Sequence, residues 1–271
     1  MQRGLVKTGL GHIHYRTAGS GPAVMLFHIN QQSSALMIEL IEALAPRFRV
    51  VAMDYPSHGH SDPMAGQPDY NDYVGCAAHV LDSLGIEKAS VMGEAVGAGV
   101  AVHFANTLHH RTERVVLLNC PFSPERGRTH THVRELQSGL RPEDESGFPL
   151  TRTISFMETV DPGHAPMVPS QSWMDRINTA RMEVGRNGWQ AVTALANYDL
   201  DDGLRRLRQP TLILLGEHFH YARFANEMTQ RAHDARVEIL AGARFCISWE
   251  RAAEIAEKAG PFLLGAGLAS S

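Results

Sequence analysis

Gly93-Glu94-Ala95-Val96-Gly97-Ala98-Gly99 is the stretch on which the fold of this chain turns. It joins an apolar run, Ala89 to Met92, to a run of small and apolar residues, Val96 to Asn106. The first predicts a strand buried on both faces and the second a helix. Small residues at 93, 97, 98 and 99 permit a sharp turn between the two and let the helix lie close to the sheet.

The same rhythm recurs on either side. Ile13 to Thr17 alternates and stops at the turn cluster Ala18-Gly19-Ser20-Gly21-Pro22. Ala23 to Phe27, Phe48 to Met53 and Val115 to Leu118 predict further buried strands. Ser34 to Leu44 and Tyr70 to Leu84 carry helical spacing, the second stopped by Gly85. From Pro121 to about Arg208 the strand signal ceases. That segment is rich in Pro, Arg, His and Asp, with helical spacing near Ser170 to Arg186 and Trp189 to Asn197. Strands resume at Thr211 to Leu215 and Arg236 to Leu240, and a helix follows from about Trp249 to Leu264. Strands alternating with helices imply an α/β class with a mostly parallel central sheet of about eight strands, flanked by helices. The helical stretch between the two blocks predicts an inserted cap. The expected division is a core of 1–122 and 209–271 and a cap of 123–208.

Bulk properties narrow the function. The 271 residues are 44% hydrophobic and 20% charged, as in a soluble globular protein. A net charge of -4 supplies no drive toward nucleic acid or anionic membrane. The first ten residues contain Arg3 and Lys7 and no apolar core, so no signal peptide is expected, and no stretch reaches the length of a membrane span. Cys76, Cys120 and Cys246 are odd in number and far apart, which fits neither a zinc motif nor a disulfide framework. A cytoplasmic protein without cofactor or metal, binding a small molecule, is the expectation. Homo-oligomerisation is left open.

Three segments now align. Phe27-His28-Ile29-Asn30 follows the first buried strand. Asp54-Tyr55-Pro56-Ser57-His58-Gly59-His60-Ser61-Asp62 follows the second, and the Gly93 turn follows the third. In order and spacing they resemble the α/β-hydrolase superfamily over essentially the whole chain. The second is similar to that family's Asp-x-Pro-Gly-His-Gly-x-Ser loop. The resemblance implies the α/β-hydrolase fold, with a nucleophile elbow Gly-x-Ser-x-Gly, an acid in Gly-x-x-Asp and a base in a Gly-His-Phe loop. Here those positions read Ala95, Phe219 (in Gly216-Glu217-His218-Phe219) and Phe245 (in Gly242-Ala243-Arg244-Phe245). The other acid position used in the family offers Asn119 and Cys120, which supply no carboxylate. A degenerate triad over an apolar floor is expected. The elbow also resembles that of the N-myc downstream-regulated family, which shares the fold and lacks the nucleophile.

The expected ligand-binding residues are His28, Ile29, Asn30, Ala95, Val96, Phe219, Phe245 and Cys246. Asn30 and the Val96 amide, at a helix N-terminus, form a candidate cradle for an anion or carbonyl oxygen. The plainer alternative is that they are relics of the fold, and His28 suits a structural role in its loop. His220, Glu94 and His218 are the candidate acid–base groups. Against them stand a side chain of Glu94 turned away from the ligand, and solvated loop histidines at 218 and 220. Cys246 is a nucleophile only if its pKa is lowered. Tyr221 and Trp249 line the pocket or simply pack. Three functions are compatible with these residues. One is an enzyme doing acid–base, lyase, decarboxylase or cyclase-like chemistry on a small hydrophobic carbonyl compound. Another is a non-catalytic ligand-binding or regulatory protein. The last is a hydrolase with a displaced catalytic set.

Overall fold

The structure is a computed structural model and describes residues 1–124 and 171–265. Its strands are β1 (Gln2–Thr8), β2 (Gly11–Ala18), β3 (Ala23–Phe27), β4 (Arg49–Met53), β5 (Ala89–Glu94), β6 (Thr112–Leu118), β7 (Thr211–Gly216) and β8 (Ala235–Leu240). They form one eight-stranded sheet in the order β1-β2-β4-β3-β5-β6-β7-β8. Strand β2 runs antiparallel to both neighbours, and every other pairing is parallel. The mostly parallel eight-stranded sheet expected from the sequence is therefore present.

The uninterrupted apolar run of β3 has a direct cause. Met25 and Phe27 enter one large apolar cluster, and Val24 and Leu26 enter another on the opposite face. Helices α1 (Ile38–Leu44) and α9 (Ala252–Leu263) cover the second face, and α2 (Tyr70–Ser83) and α3 (Val96–Thr107) cover the first. With both faces covered, neither tolerates a polar side chain. Asp69 caps α2, accepting from the Asn71 and Asp72 amides, while Asp72 reciprocates at the Asp69 amide.

Most of the expected cap, residues 125–170, lies outside the described residues. Its described part holds α4 (Gln171–Val184), α5 (Gln190–Ala196) and α6 (Leu200–Arg205). The last two pack on α3: Ala191, Val192, Leu195, Leu200 and Leu204 belong to the same cluster as Phe27 and Val96. By contrast, α4 buries Trp173 and Ile177 in a separate small cluster with Ile29, Leu36, Ala95 and Cys246.

Sequence patterns missed β1, α6 and α7 (Ala225–Arg231). Strand β1 lies at the sheet edge with mostly exposed side chains, and the two helices are too short to show a periodic stripe. The predicted final helix is two pieces, α8 (Ile247–Glu250) and α9, broken at Arg251. Among the described residues no helix is long and apolar enough to cross a membrane.

Candidate functional site

The turn between β5 and α3 keeps the strained elbow backbone. Ala95 stands at φ 51°, ψ −112°, a region costly for a residue with a Cβ. A side chain on Gly93 would collide with the Gly97 carbonyl, and one on Gly97 with the Phe27 carbonyl, so both positions require glycine. The Ala95 amide donates to the Leu118 carbonyl at 3.0 Å, which pins the turn to β6. Helix α3 begins at Val96 and receives no side-chain cap from Ala95.

Above Ala95 the surroundings are apolar. Trp173 and Ile177 come from α4, Ile29 and Leu36 from the segment after β3, and Cys246 from the loop before α8; Met174, Phe245 and Trp249 flank them. The rings of Trp173 and Trp249 have centroids 5.3 Å apart. Phe219, buried, stacks on Phe245 with centroids 6.2 Å apart, and Tyr221 packs on Phe219 at 5.6 Å. Ala95, Phe219 and Phe245 are thus brought to one end of the sheet, with Phe245 bordering both the cluster of Phe219 and that of Ala95. Trp173, Ile177 and Leu36 were not legible as neighbours of Ala95. Their helical spacing shows a buried stripe, not what it covers.

Glu94 is fully buried and faces the base-position loop. Its carboxylate accepts from the Ile247 amide (2.7 Å), the Ser248 amide (3.2 Å) and the Ser248 hydroxyl. Burial raises its pKa to about 7, although these hydrogen bonds and one from Asn119 pull the other way. Asn119, at φ 43°, donates through Nδ2 to the Arg244 carbonyl and accepts the Gly216 amide, each at 2.8 Å. It therefore fastens β7 and the same loop to β6. Cys246 caps α8 in a left-handed conformation (φ 61°, ψ 44°). Burial, with Glu94 and then Glu250 nearby, pushes its thiol well above the ordinary value, the opposite of what a nucleophile needs.

The other expected residues fall around this centre. His28 is fully buried: Nδ1 lies 2.7 Å from the Ile29 carbonyl and Nε2 accepts the Tyr55 amide at 3.2 Å. That pattern assigns the neutral Nδ1–H tautomer. Burial, then His58, lowers its pKa to about 3. Asn30 is half-buried, and its Oδ1 accepts the Val192 amide of α5 at 3.2 Å. His218 is exposed, its amide bonded to the Ala243 carbonyl. His220 is half-buried, edge-on to Tyr221, with Nε2 3.2 Å from the Arg223 guanidinium. Among the described residues no three His, Cys, Asp or Glu side chains gather as metal ligands would.

The Asp54 loop supports the site from behind. Buried Asp54 accepts from the Ser34 amide (2.6 Å) and the His60 amide (2.9 Å), and its Oδ2 lies 2.8 Å from His14 Nδ1. These bonds outweigh the burial penalty and hold its pKa to about 2. They tie the loop to the 3₁₀ turn Ser34–Met37, and so fix Leu36 beside Ala95. The Arg176 guanidinium of α4 grips Glu39 with two bonds (3.0 and 2.5 Å) and the Ala35 carbonyl with a third (3.0 Å).

Comparison with known proteins agrees with this geometry. The family model described as alpha/beta hydrolase fold matches residues 22–252. An uncharacterized protein of Mycobacterium tuberculosis is 33% identical over 105 residues, 39% of this chain and 31% of that protein. Haloalkane dehalogenase 2 of the same organism is 29% identical over 165 residues, 60% of this chain and 56% of the dehalogenase. The chain thus spans about a third to about half the length of these curated relatives. The crystal structure of a hydrolase from Pseudomonas aeruginosa superimposes with a TM-score of 0.80 at 22% identity, covering 97% of this chain and 98% of that one. Sheet order, elbow geometry and the match across residues 22–252 place the chain in the alpha/beta hydrolase fold family.

Proposed function

We propose that this chain holds a small hydrophobic carbonyl compound over Ala95 and promotes a reaction that needs no covalent nucleophile. The observation that carries the proposal is the Ala95 turn. A strained backbone, worth about 1–3 kcal/mol, is kept where there is no hydroxyl to present. That turn also carries the Val96 amide, the first of α3, which in this reading donates to the carbonyl oxygen. Around it lie the apolar side chains of Trp173, Ile177 and Phe245, a setting that strengthens a hydrogen bond to an enolate-like oxygen. Acid–base help comes from the rim, where His220 is half-buried.

One observation favours a non-catalytic binder instead: the polar atoms of Glu94 serve the fold, and the Cys246 thiol is held protonated. The two are separated by incubating the protein with a panel of hydrophobic ketones, β-keto acids and enolisable esters, following binding and product by NMR. Product formation, or deuterium exchange at the carbon beside the carbonyl above the buffer rate, supports the enzyme. Saturable binding with neither supports the binder.

A further inference from the structure

We infer that Glu94 and Ser248 form a proton-operated strut, which sets the loop carrying Phe245 and Cys246 against Ala95 and shifts it when the carboxyl gains or loses a proton. This device concerns the pocket wall, and it stands whichever reaction the pocket serves.

The loop hangs on two buried side chains. Asn119, just after β6, holds its start through the Arg244 carbonyl, and Glu94 of β5 holds its end through Ile247 and Ser248. Between these anchors Cys246 adopts a left-handed backbone, and the single turn of α8 follows at once. A turn this short has no intrahelical partners for its first amides. Glu94, from a strand 153 residues earlier, supplies them.

Of the two anchors only Glu94 can change charge. When ionised, its Oε2 accepts from both the amide and the hydroxyl of Ser248. When protonated, the new O–H must itself donate, and the Ser248 oxygen already touches it. The serine hydroxyl then turns its own hydrogen away. Oε2 becomes a poor acceptor for the Ser248 amide, while Oε1 keeps the Ile247 amide. One anchor of α8 slackens and the other holds, so the turn pivots and carries Phe245 and Cys246 with it.

The surroundings put this change within reach. Buried completely, the carboxyl is pushed up to about 7, so both forms are populated near neutrality. Its ionisable neighbour is Cys246, with Glu250 of α8 beyond it, and Asn119, just after β6, is uncharged. No cation is among the influences on Glu94, and Cys246, itself raised, stays neutral through the transition.

Trp249 reports on the turn, because its amide donates to the Cys246 carbonyl and its ring packs on Trp173. In a Trp173→Phe/Trp189→Phe background its emission is titrated from about pH 5 to about pH 9. The expected result is one transition with a midpoint near 7. Glu94→Gln should reduce its amplitude at least about 5-fold, and Ser248→Ala, by removing a bond that favours the anion, should raise the midpoint by about one unit. An unchanged transition in Glu94→Gln, or none in the parent, overturns the proposal. If Glu94→Gln does not fold, infrared difference spectra of the wild-type protein decide. Loss of a buried carboxylic C=O band as pH rises past neutrality supports the strut, and no such band overturns it.

Discussion

The rings of Phe219 and Phe245 stack 14° from parallel with centroids 6.2 Å apart, so the two positions where the sequence leads one to expect an acid and a base meet as an aromatic pair. Restoring the serine alone therefore restores little. Ala95→Ser would place a hydroxyl on the strained turn beside apolar groups, Ile29, Leu36 and Phe245 among them. None of these side chains can remove its proton. We expect no burst with an activated acetate ester and no labelling by a fluorophosphonate, in either the parent or Ala95→Ser. Efficient turnover by the variant would reveal a base and acid that the structure does not place there.

The aromatic pair should matter more to stability than to chemistry. Phe219 is buried and packs on Phe245 and Tyr221. Phe219→Ala should cost about 3 kcal/mol in urea unfolding, whereas Phe219→Leu should cost less than half of that. A loss below about 0.5 kcal/mol for the alanine variant would mean the pair is not packed as described.

Two buried histidines and one buried acid act in opposite directions on stability. Burial holds His28 down at about 3 and His58 at about 4, so both gain a proton on unfolding below their ordinary 6.5. Their stabilising contribution is present above that value and is lost as pH falls. Glu94, raised from 4.5 to about 7, does the reverse: its contribution is full below 4.5 and is lost as pH rises through 7. Between 4.5 and 6.5 unfolding takes up protons at His28 and His58, with His103 adding to the uptake because burial lowers it too, and releases one at Glu94. Glu94→Gln removes the release, so the slope should steepen by about 1.4 kcal/mol per pH unit in the variant. Asp54, held at about 2, enters only below this window. Urea melts at two pH values inside the window measure both slopes, and a shallower slope in the variant would contradict the assignment.

What the sequence made legible follows from where the physics is local. The run Ala23 to Phe27 is apolar because each residue meets a covered layer, so the strand can be read directly. The Gly93 and Gly97 signal is equally local, since a side chain at either meets backbone a few residues away or on the adjoining strand. Glu94 was ambiguous because its acceptors are used 153 residues along the chain, and nothing near it announces α8. Arg176 and Glu39 lie 137 residues apart, and no local pattern marks either as the other's partner. Strand β1 escaped notice because an edge strand with exposed faces has no apolar pattern to show.

That distant ion pair yields a prediction about α4. This helix adds Trp173 and Ile177 to the small cluster over Ala95, and Arg176 clamps it to α1. Both partners are partly exposed, so Arg176→Met should cost only about 1 kcal/mol globally. Locally it should loosen the roof. Acrylamide quenching of Trp173, as sole tryptophan, should rise about 3-fold or more in the variant while the global unfolding midpoint barely moves. Quenching that rises only in step with global unfolding would show that α4 is bound into the main core.

The sharpest division of roles lies between Asn30 and His220. Asn30 uses its oxygen on the Val192 amide, so Asn30→Ala removes a tie between the segment after β3 and α5 and leaves the Val96 amide in place. Ligand affinity should fall about 10-fold, with any turnover number changed less. His220 sits beside Tyr221 with Nε2 toward Arg223, which leaves Nδ1 carrying the proton. His220→Ala should lower turnover by about 100-fold and leave the dissociation constant within a factor of about 2. The measurement is a dissociation constant and a turnover rate for the same carbonyl compound in each variant. If both substitutions change affinity alone, the pocket is a receptor and the rim histidine is part of its wall.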